Sequence, residues 1–316
     1  MNENIQIFEY SPAYKQCWDD LVRNSKNGTF LFLRDYMEYH EDRFLDCSYF
    51  FFKKGKPIAL FPAARHDNEL RSHSGLTYGG LVMDKKISAA DVLDIFSILI
   101  KTAVSEGFTS LIYKTVPHIY HIMPAEEDLY ALFRWDAKLI SRNISSTIFL
   151  SAPLKFRDIR KSGIRKALKE GISIVETTDI SAFWDILTTN LNEKYHCNPV
   201  HTLDEMELLM SRFPHNIRVY TANSSSGVSA GMVVYESETV AHIQYISASP
   251  EGKSSGSLDL LFSWLITERY KDKRYLDFGI STEDGGHYLN NSLIYQKEGF
   301  GARGICYDTY KIKLIK

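Results

Sequence analysis

The sequence has little cysteine and little proline, and each shortage excludes a class of structure. Among 316 residues there are 4 cysteines and 9 prolines. Cys17, Cys47, Cys197 and Cys306 are scattered and form no Cys-x-x-Cys pair. This spacing argues against a disulfide framework and against a zinc site, so we expect reduced thiols and no bound metal.

Long apolar runs and an excess of one charge are also missing. The formal net charge is -2, so no overall charge attracts the chain to nucleic acid or to an anionic membrane. The aromatic run Phe50–Phe52 ends at Lys53, far short of the roughly 18 apolar residues that a spanning helix needs. The polar N-terminus does not resemble a signal peptide. We therefore expect a cytoplasmic protein that is not an integral membrane protein; its oligomeric state is unknown.

The length and the order of patterns predict two domains, residues 1–150 and residues 151–316. In the first half, the pattern over Ser88–Glu106 predicts an amphipathic helix with Ser88 as its N-cap and Gly107 after its end. In the second half, three strands form a meander that is followed by a strand–helix–strand succession. This mixture predicts an α/β or α+β fold with helices on both faces of each sheet.

Residues 244–301 carry the most information. We predict a strand, a small-residue loop over Pro250–Ser257, a helix, the strand Tyr275–Phe278 and a helix over Tyr288–Lys297. Such a loop leaves backbone N–H groups at a helix N-terminus, where the helix dipole favours a phosphate. The cation of Lys253 and the hydroxyls of Ser254, Ser255 and Ser257 would assist. The alternative is an ordinary turn in which Ser257 caps the helix.

A basic segment, Lys155–Glu170, lies between the two halves and contains seven lysines and arginines. One interpretation is a solvated helix face. The other is a contact to phosphate groups of a nucleic acid or a lipid headgroup. Gly163 lies in the middle of this predicted helix and weakens it by about 1 kcal/mol, which would allow a break.

The C-terminal motif Tyr295-Gln-Lys-Glu-Gly299-Phe300 resembles the Tyr-x-x-x-Gly-Phe element of GNAT N-acyltransferases. The preceding loop departs from the GNAT pattern, because Glu251 and Ser254 replace its expected Gln or Arg and its first glycine, while Gly256 fits. The segment Arg160–Ile172 and the order of elements in both halves resemble the tandem-GNAT, Fem-type aminoacyltransferases. The resemblance implies two GNAT-like domains in tandem, each a mixed, mostly antiparallel sheet flanked by helices.

The resemblance also implies a donor site and a catalytic acid. The donor would be acyl-CoA, such as acetyl-CoA, or aminoacyl-tRNA. Its amide-bearing arm would bind at Ile246, Ser247 and Ala248, and its phosphates at Lys253, Ser254, Ser255, Gly256 and Ser257. Tyr295 would protonate the leaving group. The alternative for Tyr295 is a core tyrosine that packs under Phe300.

Acyl transfer to an amine needs a base, and His242 is the candidate because histidine titrates near neutral pH. Strand alternation predicts His242, Gln244 and Ile246 on one face and Tyr245 on the other. A structural histidine is the alternative. Asp277, Glu283, Asp284 and His287 gather at the end of the next strand and would bind a cationic acceptor, unless they form only a polar turn.

The sequence therefore predicts an N-acyltransferase that moves an acyl or aminoacyl group from a CoA- or tRNA-type donor to an amine. The acceptor would be a small molecule or a lipid-linked amine on a cell-envelope precursor. The alternative is a non-catalytic binding module of the same fold, because such a protein would also show a loop that departs from the GNAT pattern.

Overall fold

A computed structural model of the chain describes residues 5–73 and 75–314. Its helices, in chain order, are α1 Lys15–Asn24, α2 Arg34–Met37, α3 Ala89–Ser105, α4 Glu127–Arg134, α5 Asp158–Lys169, α6 Ser181–Tyr195, α7 Leu203–Arg212, α8 Pro250–Ser255, α9 Ser257–Trp264 and α10 Asn291–Glu298. Within the described ranges, no helix combines the length and the apolar character that crossing a membrane would require.

The strands, in chain order, are β1 Gln6–Glu9, β2 Leu45–Asp46, β3 Tyr49–Lys53, β4 Lys56–Phe61, β5 Ala63–His66, β6 Glu69–Ser72, β7 Val82–Met83, β8 Ser110–Lys114, β9 Lys138–Phe149, β10 Ser173–Thr177, β11 Ile217–Ser224, β12 Gly227–Glu236, β13 Val240–Ala248, β14 Tyr275–Ile280, β15 Thr282–Glu283, β16 Tyr288–Leu289 and β17 Arg303–Lys313. The mixture of helices and largely antiparallel strands confirms the predicted α/β (α+β) class.

The chain forms two compact units. The first contains residues 1–143, 284–287 and 306–316, and the second contains residues 144–283 and 288–305. Strands β9 and β17 therefore each contribute residues to both units. The predicted domain boundary between residues 150 and 151 stays a prediction.

The first unit combines an antiparallel sheet of order β1-β3-β4-β7 with strands in the order β17-β8-β6-β5-β2. Here β6 and β8 pair in parallel, while β17 with β8, β5 with β6, and β2 with β5 pair antiparallel. Helix α3 supplies Val92, Ile95, Phe96 and Leu99 to its apolar core. Ser88 caps α3 in a reciprocal capping box with Asp91, and Gly107 follows with φ 85°, so this predicted helix is confirmed.

The second unit is built on the strand order β10-β11-β12-β13-β14-β9. All of these strands pair antiparallel except β13 and β14, which are parallel. Helix α9 brings Leu261 and Phe262 into a core with Phe278 and Phe300. Phe300 of the Gly-Phe motif is fully buried, so this pair of residues anchors the end of α10 to the sheet.

Candidate active site

The second unit contains a cavity of about 550 Å³. Six elements form its wall, with Leu187 and Asn190 from α6, Ile243 and Ile246 from β13, Lys253 from α8, Phe262 from α9, Phe278 from β14, and Leu293, Gln296 and Lys297 from α10. Most of this surface is apolar, and its polar part consists of amide, hydroxyl, carboxylate and ammonium groups. A cavity of this size and lining suits a small organic group that is oriented by a few polar contacts.

The cavity begins where two parallel strands part. Strands β13 and β14 pair over three positions, and the last pair is His242 with Asp277. The next residue on each strand, Ile243 and Phe278, lines the cavity. The parting of the strands thus exposes the backbone of β13 to a bound molecule at this point.

A β-bulge in β13 accompanies the parting. Val233 of β12 lies opposite Tyr245, while Val234 lies opposite Ile243, so Gln244 is the extra residue. A bulge shifts the alternation of side chains by one position. The prediction that His242 and Ile246 share a face with Gln244, opposite Tyr245, is therefore wrong.

The contacts show the new arrangement of the two faces. Ile243 belongs to the apolar core and Ile246 packs against it. Tyr245 instead contacts Trp184, with ring centroids 5.1 Å apart, and the hydroxyl of Tyr245 lies 2.5 Å from Nδ1 of His201. His242 shares this second face with Tyr245. Their partners on β12 are Tyr235 and Val233, which lie two residues apart and therefore point to the same side of the sheet.

His242 and Asp277 form a hydrogen-bonded pair at the point where the strands part. Nδ1 of His242 lies 2.8 Å from Oδ2 of Asp277. Asp277 is fully buried, and its Oδ1 accepts hydrogen bonds from Ser145 and Thr147 at 2.5 and 2.6 Å. The carboxylate fixes the imidazole with its proton on Nδ1, which leaves Nε2 as a proton acceptor.

The surroundings of Asp277 keep it ionised. Burial is the largest single influence on this carboxyl and raises its pKa. The hydrogen bond and charge of His242, together with the two hydroxyls, outweigh burial and hold the pKa below its ordinary value. An ionised Asp277 can stabilise an imidazolium on His242, which is the charge that forms when the histidine takes a proton.

Lys297 reaches the same place from α10. Its Nζ donates to the carbonyl oxygens of Gly279 and Ile280, both at 2.8 Å. Burial lowers the pKa of Lys297 to about 8, against the opposing charge of Asp277. Gly279 also lies beside the ring of His242, because a Cβ added to it would lie 3.5 Å from Cε1 of the histidine. Gly279 therefore lies between the histidine ring and Lys297, which lines the cavity.

The segment predicted as a loop is a helix, so its predicted conformation is wrong, while donor binding by Lys253, Ser254, Ser255, Gly256 and Ser257 stays a prediction. Residues 250–255 form α8, in which Ser249 is the N-cap and accepts from the N–H of Gly252, and Pro250 occupies the first turn. Gly256 then adopts φ 81° and ends α8. The hydroxyls of Ser255 and Ser257 are buried and hydrogen-bonded to each other at 2.8 Å.

The N-terminus of α9, where a phosphate was expected, is covered by α5. A Cβ added to Gly256 would lie 2.4 Å from the carbonyl oxygen of Gly163, and one added to Gly163 would lie 1.9 Å from Oδ2 of Asp259. Arg160 donates to Asp259 at 2.7 Å. The carboxylate of Asp259 therefore already stands in the first turn of α9, where it complements the helix dipole. Helix α5 runs unbroken through Gly163.

Four predicted donor-binding residues, Ile246, Ser247, Ala248 and Lys253, line the cavity. Asn190 joins three of them: its Nδ2 donates to Oγ of Ser247 and to the carbonyl of Ala248, and its Oδ1 accepts from Lys253. Ser254 lies outside this network, where its carbonyl accepts from Lys166. Asn190 thus occupies the carbonyl of Ala248, a backbone acceptor in the segment predicted to bind the donor.

Tyr295 has different surroundings from those expected. Its side chain is 55% exposed, and the guanidinium of Arg157 lies 4.3 Å from its ring centroid. Among the described residues, the lining of the cavity includes Gln296 and Lys297 but neither Tyr295 nor His242. The catalytic role of Tyr295 stays a prediction, and the alternative of a core tyrosine does not describe this exposed side chain.

The four acidic and histidine residues predicted to bind an acceptor have two kinds of environment. Asp277 is buried and holds His242. Glu283 is exposed at the end of β15, and Asp284 and His287 are exposed on the turn that follows, where the N–H of His287 donates to the carbonyl of Asp284. Acceptor binding by these residues stays a prediction, and Asp277 can contribute only through the histidine.

Several residues of the site have no clear signal in the sequence. Ser145 and Thr147 lie more than a hundred positions from Asp277, and Asn190 is one polar residue on a predicted helix. Lys297 lies within the Tyr-x-x-x-Gly-Phe motif, but the motif indicates a functional role only for Tyr295, two positions earlier. The sequence indicates Asp277 and His242 only as separate candidates, because the parallel register of β13 and β14 is what brings them together.

No group of three or more histidine, cysteine or acidic side chains suited to a metal occurs in the described part of the chain. The sequence matches no protein-family model and no curated protein sequence.

Solved structures share the fold at low sequence identity. FemX matches with a TM-score of 0.68 at 11% identity, over 98% of this chain and 97% of FemX. A C-terminal domain (DUF2156) assigned to a lysylphosphatidylglycerol synthetase of Agrobacterium fabrum matches with a TM-score of 0.61 at 11% identity, over 96% of this chain and 92% of that one. L-PGS from Bacillus licheniformis matches with a TM-score of 0.59 at 11% identity, over 95% of this chain and 91% of that one. The chain therefore has the fold of FemX, the Fem-type form of the GNAT fold that its sequence resembles.

Proposed function

We propose that this chain transfers an acyl or aminoacyl group from a donor in the cavity to an amine, with His242 as the base. The observation that carries the proposal is the His242–Asp277 pair at the parting of β13 and β14, where the next residue on each strand, Ile243 and Phe278, lines the cavity. A buried carboxylate that orients an imidazole is an arrangement suited to proton transfer at neutral pH.

The reaction follows from the groups at this point. Nε2 of His242 takes a proton from the acceptor amine as its nitrogen attacks the donor carbonyl. Asp277 stabilises the resulting imidazolium, and the ammonium of Lys297 stabilises the negative charge on the carbonyl oxygen. The new carbon–nitrogen bond remains, the bond to the donor's oxygen or sulfur breaks, and the imidazolium returns its proton to the leaving atom.

For the donor, we propose an aminoacyl ester on RNA rather than acyl-CoA. The N-terminus of α9, which would hold a pyrophosphate, is occupied by Asp259 and crossed by α5. Helix α5 also displays Lys161, Arg165 and Lys169 to solvent. Exposed cations of this kind bind a nucleic-acid backbone through its phosphates.

For the acceptor, we propose an amine on an amphipathic or lipid-linked molecule. Apolar side chains near the cavity are unusually exposed: Leu293, which lines it, is 36% exposed, and Leu289 and Ile280 are 39% and 45% exposed. The backbone N–H of Asn290 donates to the carbonyl of Ser281, which places Leu289 and Ile280 beside the same hydrogen bond. A surface of this type favours an acceptor with an apolar part.

The proposal is tested by comparing donors and a single variant. The purified chain is mixed with an aminoacylated RNA minihelix or with acetyl-CoA, each with a panel of amines, and the amide product is measured by mass spectrometry. We expect product from the aminoacyl donor, and a loss of about 100- to 10,000-fold in His242→Gln, as for removal of a general base. Binding of the RNA should persist in the variant, because His242 is not part of α5.

Three outcomes contradict parts of the proposal. Product from acetyl-CoA alone would assign the other donor and leave the base in place. An unchanged rate in His242→Gln would remove the proposed base. If RNA binds in a salt-sensitive manner but no donor yields product, the chain is a non-catalytic binding module of this fold.

A further inference from the structure

The ring of Tyr295 is exposed at the place where α5 meets α10. The backbone N–H of Arg157, the N-cap of α5, donates to the carbonyl of Gly299 at 2.8 Å. The guanidinium of Arg157 lies 4.3 Å from the centroid of the Tyr295 ring and 3.4 Å from the carboxylate of Glu298. Because Tyr295 is 55% exposed, this cation covers only one face of the ring and leaves the other open to solvent.

The ring belongs to the same helix as one wall of the cavity. Leu293, Gln296 and Lys297 line the cavity and share one face of α10, since they are spaced by three and four residues. Tyr295 lies between them in sequence and projects from a different face. A ligand that extends from the cavity around α10 therefore meets this ring.

A row of cations begins beside the ring and follows α5. Its members occur at intervals of four residues, so that each is a neighbour of the next on the helix surface: Arg157, Lys161, Arg165 and Lys169. Asp158 pairs with Lys161 at 3.0 Å. The second acidic residue of this segment, Glu170, pairs with Lys166 at 3.8 Å. Arg165 and Lys169 are exposed and form no ion pair within the described ranges. The row therefore keeps positive charge after these pairs are counted.

We propose that the ring of Tyr295 is a stacking platform for the terminal base of the RNA donor. This role rests on the proposed function, in which the donor is an aminoacyl ester of RNA. In such an ester the aminoacyl group and the terminal base are carried by the same ribose, so an aminoacyl group inside the cavity places a base just outside it. An exposed tyrosine ring binds any base by stacking, and the following phosphates would extend along the row of cations.

The neighbours of the ring favour a nucleotide over an apolar partner. One face of the ring carries the guanidinium of Arg157, and the row of cations starts at this residue. A nucleotide uses both features, because its base packs on the open face while its phosphates meet the cations. An apolar surface would instead take the guanidinium out of water without giving it a new partner, which is unfavourable.

The experiment measures binding of the full chain to a deacylated RNA minihelix whose unpaired 3′ end terminates in adenosine. Tyr295→Ala should weaken binding about 5- to 150-fold, the usual effect of removing one aromatic ring that stacks on a base. Tyr295→Phe keeps the ring and should bind like the wild type. A minihelix that lacks only the terminal base should bind equally weakly to the wild type and to Tyr295→Ala.

Tyr130→Ala is the matched control. Tyr130 on α4 of the first unit is 49% exposed, and the guanidinium of Arg134 lies 5.9 Å from its ring centroid, so the same two kinds of side chain meet there. This variant should bind the minihelix like the wild type. Thermal unfolding should show that both alanine variants keep the fold, because each removes an exposed side chain.

Salt dependence separates the ring from the row of cations. Arg165→Gln/Lys169→Gln should reduce the slope of log affinity against log salt concentration by about 1 for each phosphate contact that is lost. Tyr295→Ala should lower the affinity and leave this slope unchanged, because stacking releases no counterion from a phosphate.

Four results would overturn this role of Tyr295 and leave the RNA donor in place: the wild type binds the minihelix but Tyr295→Ala binds as tightly, Tyr295→Phe loses as much affinity as Tyr295→Ala, Tyr130→Ala loses as much, or removal of the terminal base has no effect. A wild type that binds no minihelix would instead contradict the proposed donor. Coenzyme A also carries an adenine, so its binding is measured in the same variants. If Tyr295→Ala loses coenzyme A and keeps the minihelix, the ring holds the base of that molecule and not of RNA.

Discussion

Replacing Asp277 by asparagine removes one charge from the centre of the site and leaves its volume almost unchanged. The new Oδ1 can still accept the hydrogen bonds of Ser145 and Thr147. Its Nδ2 group, however, can only donate toward Nδ1 of His242. The imidazole must then carry its proton on Nε2, and the histidine loses the lone pair that takes a proton from the amine.

The cost to stability follows from three hydrogen bonds that lose their charged partner. Charge-assisted bonds contribute about 1 kcal/mol more than neutral ones, which gives roughly 3 kcal/mol for the three. Relief from burying a charge opposes this loss, since burial is the largest influence on the pKa of Asp277. We therefore expect Asp277→Asn to lower the free energy of unfolding by less than about 3 kcal/mol at neutral pH.

The sign of the pH dependence can be derived from the lowered pKa of Asp277. A carboxyl whose pKa falls on folding stabilises the protein above its ordinary pKa and loses that contribution as the pH drops through the folded value. The difference in unfolding free energy between wild type and Asp277→Asn should therefore shrink in acid. Urea denaturation at several pH values measures it.

The decisive assay is the ¹⁵N chemical shift of the His242 ring in the two proteins. The wild type should show a bare Nε2, and Asp277→Asn should show an Nε2–H, together with a rate lower by about 100- to 10,000-fold. Ser145→Ala is the matched control, because it removes a hydroxyl from the same carboxylate and keeps the charge. If Nε2 is already protonated in the wild type, or if Asp277→Asn retains the wild-type rate, His242 is not the base.

Three further predictions concern neighbouring positions. Gly256→Ala should destabilise the chain by more than Gly171→Ala in denaturant unfolding, because both have positive φ but only Gly256 would place a Cβ against backbone, at 2.4 Å from Gly163; equal losses would show that the helices can shift apart. The pKa of Lys297 is lowered to about 8, so from about pH 8 up to the ordinary lysine range the unfolded chain binds a proton that the folded chain does not. The unfolding free energy of the wild type should therefore rise over this range by about 3 kcal/mol relative to Lys297→Met. Parallel curves of unfolding free energy against pH for the two proteins would contradict this. Tyr295→Phe should retain the wild-type transfer rate, since Tyr295 is 55% exposed and does not line the cavity, and a tenfold or greater fall would restore it as the catalytic acid.

Some elements follow from the sequence because their signals are local. The helix α3 is fixed by Ser88, Asp91 and Gly107, and each acts on backbone groups within a few residues. The helix α8 shows how a local signal can be misjudged: Ser249 and Pro250 form a good helix start, but six residues rich in serine and glycine resemble a loop. A helix this short is stabilised mainly by its contacts, such as the approach of Gly252 to the carbonyl of Ser229.

The pairing within the site lies beyond such signals. The bulge at Gln244 depends on the register between β12 and β13, which no residue of β13 reveals by itself. The meeting of His242 and Asp277 depends on a parallel pairing across 35 positions. Sequence patterns could nominate each residue as polar and near a strand end, but the hydrogen bond between them is a property of the sheet.

The packing of α5 on α9 has a consequence for altering what the protein accepts. At the level of sequence, Glu251 and Ser254 are the residues that separate this chain from the GNAT phosphate loop, and replacing them would be the obvious route to a CoA-dependent variant. Gly163 and Gly256 let the two helices approach so closely that a backbone carbonyl stands where an added Cβ would go. Under the donor assignment proposed above, substitution at positions 251 and 254 alone should therefore fail to exchange the donor, because α5 would also have to be shortened or redirected.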